Sequence, residues 1–171
     1  MAERSTTSRA IAVGQLPAAT AAFISEQGAV RGLFRDPLAE VTHALRTDET
    51  TTRRRLFGGA KTSVRTVEML LTPDLLVVSY RDGTVDEDLA AQVSFHRLNQ
   101  IEFAPLPSEL LDRAAGAKLA VPAGLMPLTS TPVGSTQRGS RMVPLGDGPD
   151  AARFREALLA ATERTRRGAG A

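Results

Sequence analysis

The sequence has no cysteine and no tryptophan, one tyrosine and two histidines among its 171 residues. Without cysteine there can be no disulfide, no thiolate zinc site and no thiol nucleophile. Two histidines leave little material for a metal cluster or a histidine-based acid–base pair. Lysine is scarce as well: of 21 basic residues only Lys61 and Lys118 are lysines, and the rest are arginines. The net charge is only +2, and many arginines sit beside acids. That balance gives no reason to expect nucleic acid as a partner. Long apolar runs are missing too. Leu75-Leu76-Val77-Val78 is among the longest, far short of a membrane span. The polar stretch Met1 to Arg9 is not followed by the apolar region of a secretory signal. The expectation is a cytoplasmic protein large enough to bury a core without covalent staples.

What is present divides into three parts. Residues 1–37 read as an arm with a short helix. The first fifteen are polar and small, a loose arm. From Leu16 the pattern turns helical: Pro17 suits a first turn and Gly28 a C-terminal cap, with Leu16, Ala19, Phe23 and Ile24 on one face. Residues 38–167 form the main domain, and 168–171 a flexible tail. From 38 to 104 short alternating segments dominate. Val41, His43 and Leu45 share one phase, as do Val67, Met69 and Leu71. Val64, Val67 and Leu71 would also fit a helix, but the surrounding Thr, Ser and Val favour strand. Leu75 to Arg81 is a short strand after the turn Thr72-Pro73-Asp74, and Val93 and Phe95 alternate with Ser94 and His96. A phase break at Leu98-Asn99 precedes Ile101 and Phe103. Such spacing indicates an antiparallel meander. Ser108 can cap a short helix through Ala115. Leu125 to Val133 and Thr136 to Leu145 read as a hairpin around Gly134-Ser135. Pro149 to Arg167 is the clearest helix, with Ala151, Phe154, Leu158 and Ala161 in one stripe.

A meander, a further hairpin and one amphipathic C-terminal helix is the order of a pleckstrin-homology-like domain. "MLLTPDLLVVSYRDG" (Met69 to Gly83) resembles the central hairpin of bacterial pleckstrin-homology-like and GRAM-type domains. "VSFHRLNQIEFAP" (Val93 to Pro105) resembles their next strand, an aliphatic-Asn bend and the strand after it. The resemblance implies a mainly β fold with α, an antiparallel β-barrel closed by the C-terminal helix, plus the extra N-terminal helix. It also implies a module that binds proteins, peptides or lipid head groups and does not catalyse a reaction.

The stretch "RLFGGAKTS" (Arg55 to Ser63) has the materials of a phosphate loop, but the order fails. A phosphate loop needs glycine where Arg55 and Ala60 stand, and a helix must follow rather than strand-like Val67-Glu68-Met69. Gly58-Gly59 reads as a turn between strands. Its flanks carry Arg53, Arg54, Arg55, Lys61 and Arg65, with no acid between Thr52 and Val67. In pleckstrin-homology domains the loop joining the first strands often holds head-group-binding cations, so the resemblance makes these five the candidate ligand-binding residues. The bland alternative is a solvated basic hairpin. Asp82 to Asp88 is an acidic loop without the ligand order of a calcium site. His96 falls on the polar phase of its strand and is expected in solvent, while His43 shares a phase with Val41 and Leu45 and is expected partly buried. Ser94, His96 and Asp112 could be assembled into a triad on paper, but no nucleophile-elbow motif supports it. No catalytic residue, metal site or cofactor is expected. The expected function is a non-enzymatic binding or scaffolding module for a protein or peptide, working beside the C-terminal helix or through the basic hairpin. The alternative is peripheral binding to anionic lipid head groups through residues 53–65.

Overall fold

The structure is a computed structural model and describes residues 2–54, 60–84, 92–103 and 124–169. It is mainly β with two helices. Five strands form one antiparallel sheet in chain order: β1 (Ala2–Ala10), β2 (His43–Arg54), β3 (Ala60–Leu71), β4 (Leu75–Thr84) and β5 (Gln92–Arg97). A second sheet of two strands is the hairpin β6 (Leu125–Ser130) and β7 (Gly139–Pro144). Helix α1 (Ala18–Val30) lies between β1 and β2 in the chain, and α2 (Pro149–Gly168) follows β7. An isolated bridge ties the sheets, with Glu102 and Thr129 exchanging backbone hydrogen bonds of 2.8 and 2.9 Å. Among the described residues no closed barrel is found. No described helix is long and apolar enough to cross a membrane.

The meander forms because β3 and β4 carry apolar residues on both phases. Register pairs Met69 with Val78 and Leu71 with Leu76, and these four enter one core with Leu45, Ile101 and Leu128. Leu70 pairs with Val77, which pairs with Phe95, and these enter the other core. Strands apolar on successive residues need cover on both faces. On the first face α2 supplies Ala151, Phe154, Leu158 and Ala161, and the hairpin supplies Met126, Leu128, Val143 and Leu145. On the second face the α1 region supplies Leu16 and Ile24.

Helix α2 starts with Pro149, whose missing N–H lies where helices lack a partner anyway. Asp150 in its first turn accepts a 2.8 Å hydrogen bond from Ala10 N, fastening the end of β1 to the start of α2. Close to this junction, backbone crowding demands glycine. Gly124 has φ 88°, and a Cβ there would sit 2.6 Å from the Gly146 backbone. Leu145 N and Gly146 N both donate to Gly124 O, at 2.6 and 3.2 Å, so the hairpin is closed through this contact.

The structure corrects several expectations here. The loose arm of residues 1–15 contains β1, paired from Ala2 opposite Arg53 to Ala10 opposite Leu45. Its Ser and Thr side chains carry no apolar signal. It is an edge strand held by backbone bonds and contacts such as Ser8 Oγ to Thr47 Oγ1 at 2.9 Å. In α1 the buried line is Thr20, Ile24 and Gly28, four residues apart, rather than the face through Ala19, and Gly28 lies inside the helix. A helix rich in alanine has a weak stripe, so packing sets the face: Pro37 approaches Gly28 so closely that a Cβ there would meet its ring at 3.0 Å. α2 with its stripe and the break at Leu98–Gln100 stand as expected. The hairpin forms but is shorter than Leu125 to Val133 and Thr136 to Leu145, and the strand expected through Ile101 and Phe103 is reduced to the isolated bridge at Glu102. Gly58-Gly59 and the helix from Ser108 to Ala115 lie outside the described residues.

Three results are expected from this packing. Phe95→Ala should destabilise the fold by about 3–5 kcal/mol in urea unfolding, because Phe95 has no exposed surface. Phe34→Ala should change it by less than about 0.5 kcal/mol, because Phe34 is 106% exposed. Deleting residues 149–171 should yield an aggregating chain, since burial of Phe154 and Leu158 is worth about 1.5–3 kcal/mol each. A monomer with an unchanged thermal midpoint would show that α2 is an appendage.

Candidate functional site

The face of the large sheet covered by α2 and the hairpin is not apolar to its end. On β4 it runs from Leu76 and Val78 to the half-buried Tyr80, and on β5 it consists of His96, Ser94 and Gln92. The hairpin changes character in the same direction. Inward-facing Met126 and Leu128 give way to Ser130 on β6, and Val143 gives way to Arg141 on β7. Where both sheets turn polar, a cavity of about 650 Å³ opens between them.

Its floor is a hydrogen-bonded chain. His96 is 1% exposed, and both its ring nitrogens meet hydroxyls: Nδ1 lies 2.5 Å from Ser130 Oγ and Nε2 lies 2.8 Å from Ser94 Oγ. A neutral imidazole donates through one nitrogen and accepts at the other, and the two serines can satisfy either tautomer. Arg141 Nη1 donates to Ser94 Oγ at 3.0 Å. Burial, and then the positive charge of Arg141, push the His96 pKa down to about 4. The ring is therefore neutral at pH 7. Tyr80, opposite Gln92, lines the same cavity, its phenol pushed up by burial and partly offset by the charge and hydrogen bond of Arg141.

Four arginines and one carboxylate line the cavity. Arg65 makes two bonds to Asp82, at 2.6 and 3.3 Å, and the hydrogen bond to Asp82 raises its pKa above the ordinary arginine value. Arg138 is paired with Glu102, whose carboxyl that hydrogen bond holds below its usual range. Arg31 and Arg141 meet neutral oxygens instead. Arg31 Nη1 donates to Val133 O at 3.2 Å, and Arg141 to Ser94 as above.

Of the five expected ligand-binding residues, Arg65 lines this cavity, and its charge is matched by Asp82. Arg53 and Arg54 end β2, where Arg53 pairs opposite Lys61 and Arg54 opposite Ala60. Arg55 lies outside the described residues. The histidine expectations are reversed. His43 is exposed and His96 is buried, because β5 packs beneath the hairpin and its polar phase faces inward. Ser94 and His96 of the paper triad are brought together, while Asp112 lies outside the described residues. The orienting position is filled by the Ser130 hydroxyl, not by a carboxylate. No group of three potential metal ligands occurs among the described residues.

Arg31, Ser130, Arg138 and Arg141 were not singled out from sequence. A signal for the floor did exist: a neighbouring strand apolar on both phases implies that Ser94 and His96 are buried as well. Nothing local marks Arg141, which reaches Ser94 across 47 positions. No family model matches the chain, and neither a curated protein nor a solved structure matches it.

The depressed His96 pKa has a measurable consequence. The unfolded chain takes up a proton as pH falls through 6.5, the ordinary value, whereas the folded chain does so only near 4. The stabilisation is whole above the upper value and is lost as pH falls toward the lower one, by up to about 3 kcal/mol. A His96→Gln chain lacks this component. The gap in unfolding free energy between parent and variant should therefore shrink from about pH 7 to about pH 4.5. A constant gap would mean that His96 is not desolvated.

Proposed function

We propose that the chain is a non-enzymatic binding module that recognises a protein or peptide partner through the cavity between β5 and the β6–β7 hairpin. We read the architecture as a variant of the pleckstrin-homology-like fold. The support for that reading is two antiparallel sheets joined by the Glu102–Thr129 bridge, with α2 packed across one apolar face. Action in the cytoplasm is part of the same proposal.

The observation that carries the functional reading is the neutral floor of the cavity. A general base works best with a pKa near the working pH. An imidazole at about 4 is roughly a thousandfold less basic than that. Its second nitrogen meets a serine, which cannot stabilise an imidazolium as a carboxylate would. Ser94 also accepts from Arg141, which opposes its use as a base-activated nucleophile. The same groups suit binding, since each is already positioned by a partner and a ligand need not order them.

Tyr80, the only tyrosine in a chain without tryptophan, lines the cavity and reports on it directly. Titration with peptides selected from a random display library should change Tyr80 emission and leave the peptides unaltered by mass spectrometry. Cleaved or modified peptides would overturn the non-enzymatic reading. Selected peptides that leave Tyr80 unchanged would move the binding surface elsewhere.

A second reading, contact with anionic lipid through residues 53–65, is favoured by one feature of the register. Arg53 stands directly opposite Lys61, so the register brings the basic residues of this stretch to one end of the β2–β3 pair. Binding to phosphatidylserine vesicles should then fall steeply with salt and weaken in Lys61→Ala. Salt-independent or absent binding would remove this reading.

A further inference from the structure

We infer that the cavity takes a single anionic group, a carboxylate or phosphate, carried by a side chain of a peptide partner and anchored on Arg141. The inference rests on the peptide-binding reading and adds the chemistry that would select the peptide.

Charge is the first argument. Among the described residues the lining holds four arginines and one carboxylate, Asp82, and the buried Glu49 behind it acts electrostatically on Arg65 and Tyr80. Asp82 is already bonded to Arg65, and Glu102 is bonded to Arg138. Among the described residues neither Arg31 nor Arg141 meets a carboxylate, and both line the same cavity. The walls therefore hold positive charge in excess of what they compensate.

Geometry is the second. A guanidinium presents five N–H donors, and Arg141 has its Nη1 directed at Ser94 Oγ. Ser94 is held in turn by His96 Nε2 at 2.8 Å, and His96 by Ser130 at 2.5 Å. This chain crosses from β5 to β6 and returns to β7, so Arg141 is oriented by three strands. A charged side chain held by Ser94 and Tyr80 still has donors left of its five, and is suited to two-point recognition of a carboxylate or phosphate. The neutral His96 completes the device, because it orients Ser94 without adding a partner for the anion.

The third argument concerns what carries the anion. Gln92, Ser135, Gln137 and Ser140 line the same cavity. Their amides and hydroxyls pair with peptide main chain, whereas a lipid would need an apolar tract for its acyl chains. A volume of about 650 Å³ is in the range of ligand-binding clefts.

The test uses the full chain and three pools of short end-blocked peptides, alike except for one central residue: glutamate, phosphoserine or glutamine. Tyr80 emission reads occupancy. The glutamate or the phosphoserine pool should bind about tenfold or more tightly than the glutamine pool, and the tighter of the two assigns the anion. Binding should weaken as salt rises from about 0.05 to about 0.5 M. Arg141→Gln should lose about tenfold or more, and Arg141→Lys should recover only part of it, since an ammonium lacks the fork. Arg155→Gln, an exposed position on α2 away from the cavity, should bind like the parent. Equal binding of all three pools would overturn the anion site and leave the peptide reading standing. Equal loss in Arg155→Gln and Arg141→Gln would reduce the effect to general surface charge and overturn the site. Failure of every pool to bind would overturn both readings.

Discussion

Strands β3 and β4 are apolar on both faces, and the rest of the structure answers that constraint. A half-covered sheet would leave either the Met69, Leu71, Leu76 and Val78 row or the Leu70 and Val77 row in water. Full burial of each such side chain is worth about 1.5–3 kcal/mol, so neither layer is optional. The α1 region and α2 come from opposite ends of the described chain and meet on the two sides of the same strands. The Ala10–Asp150 bond and the Gly124–Gly146 contact then lock the terminal strand, the hairpin and α2 to one another. In this arrangement β1 can be almost wholly polar. It adds an edge and binds α2 without contributing to a core.

Most of the polar side chains buried in this two-sided structure have partners. Glu68 is fully buried, and Arg81 Nη2 lies 2.5 Å from its Oε1. Removing either partner of a buried pair leaves a charge without compensation, which is far costlier than losing an exposed pair. Next to it, Glu68 Oε2, Ser79 Oγ and Arg81 Nε have no partner. We have no physical account of this clustering. The His96 chain is the opposite case, since each nitrogen has a hydroxyl and Ser94 a second partner in Arg141. It uses neutral groups, so its burial does not carry the desolvation penalty of an ion.

The cavity is what remains where the core under the hairpin ends. Met126 and Val143 fill the space between the sheets at one end of the hairpin. Ser130 and Arg141 do not fill it at the other, and arginines line the gap. The low pKa of His96 and the orientation of Arg141 are two aspects of one arrangement. Burial removes water that would solvate an imidazolium, and the nearby guanidinium repels it. Basicity is thereby given up in exchange for a fixed, neutral support.

Much of the architecture was legible because it depends on local periodicity. The alternation through Val67, Met69 and Leu71, the apolar run at Leu75 to Val78, and the stripe through Phe154 and Leu158 each follow from side-chain spacing within one element. The same local logic ruled out a phosphate loop at Lys61. It misjudged β1, whose strand character lies in backbone bonds to β2, and it reversed the two histidines, whose exposure depends on which strand the hairpin covers. The sequence by itself determined which elements form and which of their residues seek a core. Only the tertiary structure decided that Ser94, His96, Ser130 and Arg141 meet. They stand on three strands and are joined by sheet pairing and hairpin packing, and such contacts leave no periodic trace along the chain.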